Sequence, residues 1–161
     1  MLPLDWSRTT PDSARDQIAA EYLNQDNPAV QLVAASWLLS GAQRARATAV
    51  LQSLTTHDAD PLIARLADVQ RWRQSAGATV KQSLPNWEKK LDRLPVALQP
   101  GAMTVIAERL ETSGNKEDAI IWWHRVAHLG KGVGTLSMEA SEHVARLTEE
   151  LNSVPGIEAG K

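Results

Sequence analysis

At 161 residues, with 43% hydrophobic and 22% charged side chains, the chain has enough apolar mass for one domain with a real core. Its 17 Lys+Arg stand against 19 Asp+Glu, evenly spread along the sequence, so the basic excess of a nucleic-acid surface is missing. No cysteine is present, which excludes disulfides, thiol catalysis and Cys-ligated zinc, and no apolar run approaches the roughly 18 residues of a membrane span.

Aromatic usage is unusual: six Trp, one Tyr (Tyr22) and no Phe. Indoles therefore supply nearly all the large aromatic volume, and each buried one needs a partner for its N–H. The start MLPLDWSRTT lacks the basic-then-apolar pattern of a signal peptide. A soluble chain is expected, with the compartment left open and a fragment of a longer protein equally compatible.

Residues 1–9 read as an irregular arm anchored by Trp6. Thr10-Pro11-Asp12 then offers a capping hydroxyl, a proline for the first helical position and a first-turn acid, predicting a helix to about Leu23. Its stripe is Ala14, Ile18, Ala19 and Tyr22. Asn27-Pro28 restarts a helix through AVQLVAASWLLS, with Val30, Val33, Ala34, Trp37 and Leu38 at three- and four-residue spacing. After Ser40-Gly41, RARATAVLQSL predicts a partner helix packing through Ala45, Ala49 and Leu51 to Leu54, with the small residues of both helices allowing close approach.

Asp60-Pro61 is a second cap-plus-proline start, and LIARLADVQRWRQ places Leu62, Ile63, Leu66, Val69 and Trp72 on one broad face before Ala76-Gly77 closes it. Residues 78–83 fit either a turn or the start of the next helix. From Pro85 a helix is expected with Trp87, Leu91 and Leu94 inward, ending at Leu94-Pro95 because a residue before proline is steered from the α region. Pro100 to Leu129 then predicts a helical hairpin turning on Gly114-Asn115, followed by the connector GKGVG. A last helix runs from about Leu136 to Leu151 on the stripe Leu136, Ala140, Val144, Leu147 and Leu151. The tail NSVPGIEAGK is rich in Pro and Gly. No segment alternates with period two, so strands are not expected.

Hairpin starts recur at Pro28, Pro61, about Pro100 and about Thr135, at spacings of 33, 39 and 35 residues. Such periods signal stacked helical repeats, because one helix pair cannot bury its apolar face alone. The fold class expected is all-α: about three antiparallel hairpins plus terminal helices, in a single domain over 1–153 with a flexible tail at 154–161.

The residues of Pro100–Leu129 resemble a tetratricopeptide repeat. Ile106, Ala107 and Leu110 stand in the first helix, Gly114 at the turn, Ala119 twelve residues after Ala107, and Trp123 where the family has a large aromatic. Met103 replaces a preferred Trp, Val126 a preferred Ala, and Lys131 a frequent Pro. NPAVQLVAASWLL resembles a HEAT-type helix almost as much, so the first two hairpins are open between the families. The resemblance implies a superhelical scaffold whose groove is lined by the first helices and holds a peptide, a protein or another copy of itself. On that implication Thr104, Glu108 and Glu111 face the groove; Thr and Glu stand where a carboxylate-clamp subgroup has Lys and Asn, so that specificity is not carried over.

Chemical alternatives are thin. His124 and His128, i and i+4 on a helix, have a spacing that can present two imidazoles to a metal, but the Glu of an HExxH motif and a third nearby His are missing. Gly130-Lys131-Gly132-Val133-Gly134-Thr135 lacks the preceding strand and the Lys-Ser/Thr pair of a phosphate loop. Glu108 with Glu111, and Glu117 with Asp118, read as solvated helix faces rather than catalytic pairs. Trp37, Trp72, Trp87 and Trp123 lie on apolar stripes and are expected in the core. Trp122 points about 100° from Trp123 and so packs between repeats or anchors a partner on the surface. The sequence thus nominates no catalytic residue, cofactor or metal ligand set. It reads as a non-enzymatic interaction scaffold with Thr104, Glu108, Glu111 and Trp122 as candidate partner-binding residues. The alternatives are a metal-dependent or hydrolytic domain using His124 and His128, and a structural segment of a larger helical solenoid.

Overall fold

A computed structural model describes residues 12–56, 60–129 and 134–153. The expected N-terminal arm with Trp6, most of the GKGVG connector and the tail at 154–161 lie outside them. Every described element is helical: α1 (Asp12–Tyr22), α2 (Pro28–Leu38), α3 (Arg44–Thr55), α4 (Pro61–Trp72), α5 (Val80–Asp92), α6 (Gln99–Thr112), α7 (Lys116–His128) and α8 (Thr135–Asn152). Short 3-10 turns, Gly77–Thr79 and Val96–Leu98, lead into α5 and α6. No strand occurs among the described residues, and no described helix is long and apolar enough to cross a membrane. The chain divides into two compact units, Met1–Arg71 and Trp72–Lys161.

In the first unit, helix starts follow the cap chemistry. The Asn27 side chain accepts from Ala29 N at 3.1 Å and Val30 N at 3.3 Å, with Pro28 opening α2. Asp60 Oδ1 accepts from Ile63 N at 3.2 Å and opens α4 in the same way. α2 packs against both α1 and α3. The core comprises Ala19, Ala20 and Leu23 of α1 and its end, Leu32, Ala34, Ala35, Leu38 and Leu39 of α2 and its end, Ala47, Leu51 and Leu54 of α3, and Ala67 of α4.

That core corrects the expected stripe of α2. Leu32, Ala34, Ala35 and Leu38 turn inward, whereas Val33 and Trp37 are 49% and 41% exposed. α2 is apolar nearly all round, so its pattern has no single inner face, and packing against neighbours on two sides decides the rotation. In α3 the close-approach residue is Ala47, fully buried, while Ala45 and Ala49 are exposed. Ile18 and Tyr22, the face a larger solenoid would leave open on the first helix, are half-buried, and Tyr22 packs on the core.

The second unit begins with Trp72 stacked on Trp87 of α5, ring centroids 5.2 Å apart and 16° from parallel. Trp87, Leu91 and Leu94 are buried as expected. The helix itself starts earlier than its proline implies. Val80, fully buried, belongs to the same stripe two turns before Trp87, and burying it extends α5 back past Pro85. Pro85 sits on the exposed side, where the one backbone bond it deletes faces water.

α6 and α7 form the expected hairpin. The chain leaves α6 through a Schellman turn: Gly114 at φ +85°, its N–H donating to Glu111 O at 3.1 Å, and Asn115 N–H donating to Leu110 O at 2.9 Å. Ala107 and Ala119 are both fully buried, with Ile106, Leu110 and Val126 around them. Glu117 and Asp118 occupy the first turn of α7 and Arg125 and His128 the last, each complementing the helix dipole. α8 packs along α7 through Ala140 and Leu147, and Ser137 Oγ donates to Ala127 O at 2.7 Å.

Two glycines separate backbone conformation from packing. Neither Gly114 nor Gly101 has an atom within 4 Å of the place a Cβ would take, but only Gly114 has positive φ. Gly114→Ala is expected to cost about 1 kcal/mol, whereas Gly101→Ala, inside α6, gains about 0.5 kcal/mol or more. Urea denaturation followed by circular dichroism resolves the opposite signs.

Candidate partner surface on the second unit

The four residues nominated from the sequence all lie on α6 and α7, but the structure gives them different tasks. Thr104 is half-buried, and its hydroxyl donates to Pro100 O at 3.0 Å, back along its own helix. Glu108 accepts from Arg73 Nη1 at 2.6 Å, with both side chains 40% exposed. Thr104 and Glu108, one turn apart, stand on the open side of α6. Beside them lies a small cleft of about 160 Å³ lined by Arg73, Val105, Glu108, Arg109 and Thr112. Arg109 forms its back wall, donating through Nε and Nη2 to Ser75 O at 3.0 and 2.7 Å and tying the segment after α4 to α6.

Glu111 has turned away from this face. Its side chain is only 17% exposed, and it joins three helices. Oε2 accepts from Trp123 Nε1 of α7 at 3.0 Å and pairs with His143 Nδ1 of α8 at 3.0 Å. Oε1 accepts from Arg146 Nη2 of α8. His143 Nδ1 also lies 2.8 Å from Arg146 Nη2, so it stands between a carboxylate that only accepts and a guanidinium that only donates. His143 also stacks on Trp123, ring centroids 4.1 Å apart and 8° from parallel. The network continues outward: Arg146 Nη1 meets Glu150 Oε1 at 3.0 Å, and Glu150 Oε2 meets Lys116 Nζ at 3.1 Å.

The electrostatics follow this geometry. Partial burial pushes the Glu111 carboxyl up, but the hydrogen bonds from Arg146 and Trp123 and the charges of His143 and Arg146 outweigh it, leaving it below its ordinary 4.5. Glu150 is also held below the ordinary range, chiefly by the bonds from Lys116 and Arg146. Glu111 is thus a structural joint rather than an open groove residue.

Trp122 differs from a surface anchor as well. It is 4% exposed and Trp123 is 2%, so both indoles of the pair are buried despite pointing about 100° apart. This is possible because α7 is flanked by α6 and α8, and because the Arg125 guanidinium lies 4.1 Å over the Trp122 ring and covers it. Trp37, expected inside, is 41% exposed.

His124 and His128 are both exposed on α7. Among the described residues no group of three His, Cys, Asp or Glu is placed to hold a metal ion. Instead the two histidines line a cleft of about 600 Å³ with Met103, Arg125, Ala127 and Leu129, where the start of α6 meets the end of α7. Sequence reasoning singled out the histidines but missed the cleft, because Met103 joins them only once the hairpin closes. It also missed His143 and Arg146. Their three-residue spacing beside the α8 stripe was the available signal, but their acceptor lies about 35 positions earlier.

The joint and the surface pair separate on mutation. Glu111→Gln keeps the shape but turns an amide toward donors, and is expected to lose about 1–3 kcal/mol. Glu108→Gln breaks an exposed pair and should stay within about 0.5 kcal/mol of wild type. Because the folded carboxyl of Glu111 lies below its ordinary 4.5, its contribution is present above that pH and fades as pH falls through the lower folded value. Wild type and Glu111→Gln should therefore converge in stability on acidification, as read from urea midpoints across the acid range.

Comparison with known proteins finds no matching family model, no matching curated protein and no matching solved structure.

Proposed function

We propose that this chain is a non-enzymatic interaction module built on a tetratricopeptide-like superhelix. The observation that supports it best is the α6–α7 hairpin, closed by a Schellman glycine and joined where Ala107 and Ala119 are both fully buried. Small residues at this point let two helices approach closely and stack against a third, the packing economy of repeat proteins. α2, α4, α6 and α8 begin at Pro28, Pro61, Gln99 and Thr135, spacings of 33, 38 and 36 residues, within the range of helical repeats.

On this reading the open side of α6 is the receptor face, with Thr104 and Glu108 presented and the Arg73–Glu108 pair at its border. The partner is a peptide or protein segment, including a second copy of the chain. Glu111 and Trp122 act behind that face by keeping α6, α7 and α8 together.

A displayed random-peptide library selected on the immobilised chain tests the reading. A recurring sequence motif should emerge and bind with micromolar affinity. Thr104→Arg combined with Glu108→Arg should weaken it about tenfold, or 1.4 kcal/mol, while leaving the helical circular dichroism unchanged. A selection that enriches no motif sinks the module. A motif indifferent to the double substitution moves the receptor face away from α6.

A further inference from the structure

We infer that the cleft between the start of α6 and the end of α7 is a second binding site, for a protein segment that combines acidic and aliphatic side chains. The inference rests on the interaction-module reading but uses a different surface from the Thr104–Glu108 face.

Three features carry it. The first is shape: the cleft is an open depression of about 600 Å³, broader than the one beside Glu108 and wide enough for an extended segment to lie against it. The second is the lining. Met103, Ala127 and Leu129 form an apolar floor, and Leu129 is 42% exposed although it sits directly beside the hairpin core. An aliphatic side chain entering there removes apolar surface from water on both partners.

The third is charge. His124, Arg125 and His128 make up the rest of the described lining, and no described acidic residue stands among them. His124 and His128 are one turn apart and present their imidazoles side by side, while Arg125 is steadied by its stack on Trp122. A steadied guanidinium loses less freedom when it engages a carboxylate, and its fork can hold both oxygens. Four other cations of this unit are held by acids of the fold: Arg73 by Glu108, Lys81 by Asp118, Lys116 by Glu150, and Arg146 by Glu111 and Glu150. The Arg125 guanidinium, flanked by two imidazoles that can donate hydrogen bonds, thus complements a partner that brings its own carboxylates. The apolar floor favours a polypeptide over a nucleic acid, whose backbone offers charge without aliphatic anchors.

Fluorescence anisotropy with three labelled dodecapeptides tests the site: alternating glutamate and leucine, alternating lysine and leucine, and alternating glutamate and serine. The glutamate–leucine peptide should bind the full chain and weaken as salt rises. The other two should not bind. His124→Glu with His128→Glu, and separately Leu129→Ser, should each weaken binding about tenfold or more. All three positions are exposed, so helical circular dichroism should hold. Thr104→Arg with Glu108→Arg should leave this peptide unaffected. Equal binding of the lysine–leucine peptide, indifference to the histidine reversal, or equal competition by a single-stranded oligonucleotide would overturn the site. If the glutamate–leucine peptide fails while a library-selected motif still binds, this inference falls and the module stands. If neither binds, both fall.

Discussion

The second unit depends on one half-buried carboxylate. Glu111 ends α6, and its two oxygens are shared among an indole of α7 and an imidazole and a guanidinium of α8. A carboxylate drawn out of water is costly unless its lone pairs are met by donors, and here charged and neutral donors meet both oxygens. The consequence is directional. Apolar contacts along Ala140 and Leu147 hold α8 near α7 but tolerate sliding, whereas the Glu111 bonds are satisfied at one register only. Charge therefore sets the alignment, and burial supplies the adhesion.

The same joint explains the indole pair on α7. Trp123 meets its N–H requirement inside, through Glu111, and its ring lies flat against His143. Trp122 is closed from above by Arg125. Two adjacent large aromatics are thus buried on different sides of one helix, which needs neighbours on both flanks. A lone hairpin would leave one of them in water. The third helix is what allows the sequence to carry the pair.

How much of this was legible in the sequence depends on whether the signal was local. Asn27-Pro28, Asp60-Pro61 and Gly114 act within a few residues of themselves, and the helices they start or stop lie where those residues place them. The inner stripes of α5 and α8 were legible because polar residues fill the opposite faces. α2 was not, since Val33 and Trp37 are as apolar as Leu32 and Ala35 and only the neighbours decide which turn inward. The start of α5 was half legible: residues 78–83 fit either a turn or a helix start, and the burial of Val80 carries the helix back past Pro85. In the candidate site, residue types pointed to Thr104, Glu108, Glu111 and Trp122, yet two of these serve the fold. Partnerships spanning some thirty positions, such as Glu111 with Arg146, leave no mark on a single sequence.

The pattern of helix neighbours has a kinetic corollary. The extensively packed pairs are consecutive helices: α1 with α2, α2 with α3, α5 with α6, α6 with α7, and α7 with α8. Each contact closes a loop of only one connection, so little chain entropy is spent before a contact is rewarded. A low contact order of this kind belongs to fast folders and lets structure accumulate as the polypeptide emerges from its N-terminus. In the second unit the chain order has a further effect: α6 and α7 precede α8, so the hairpin around Ala107 and Ala119 is complete in sequence while Glu111 still awaits the two partners that α8 brings.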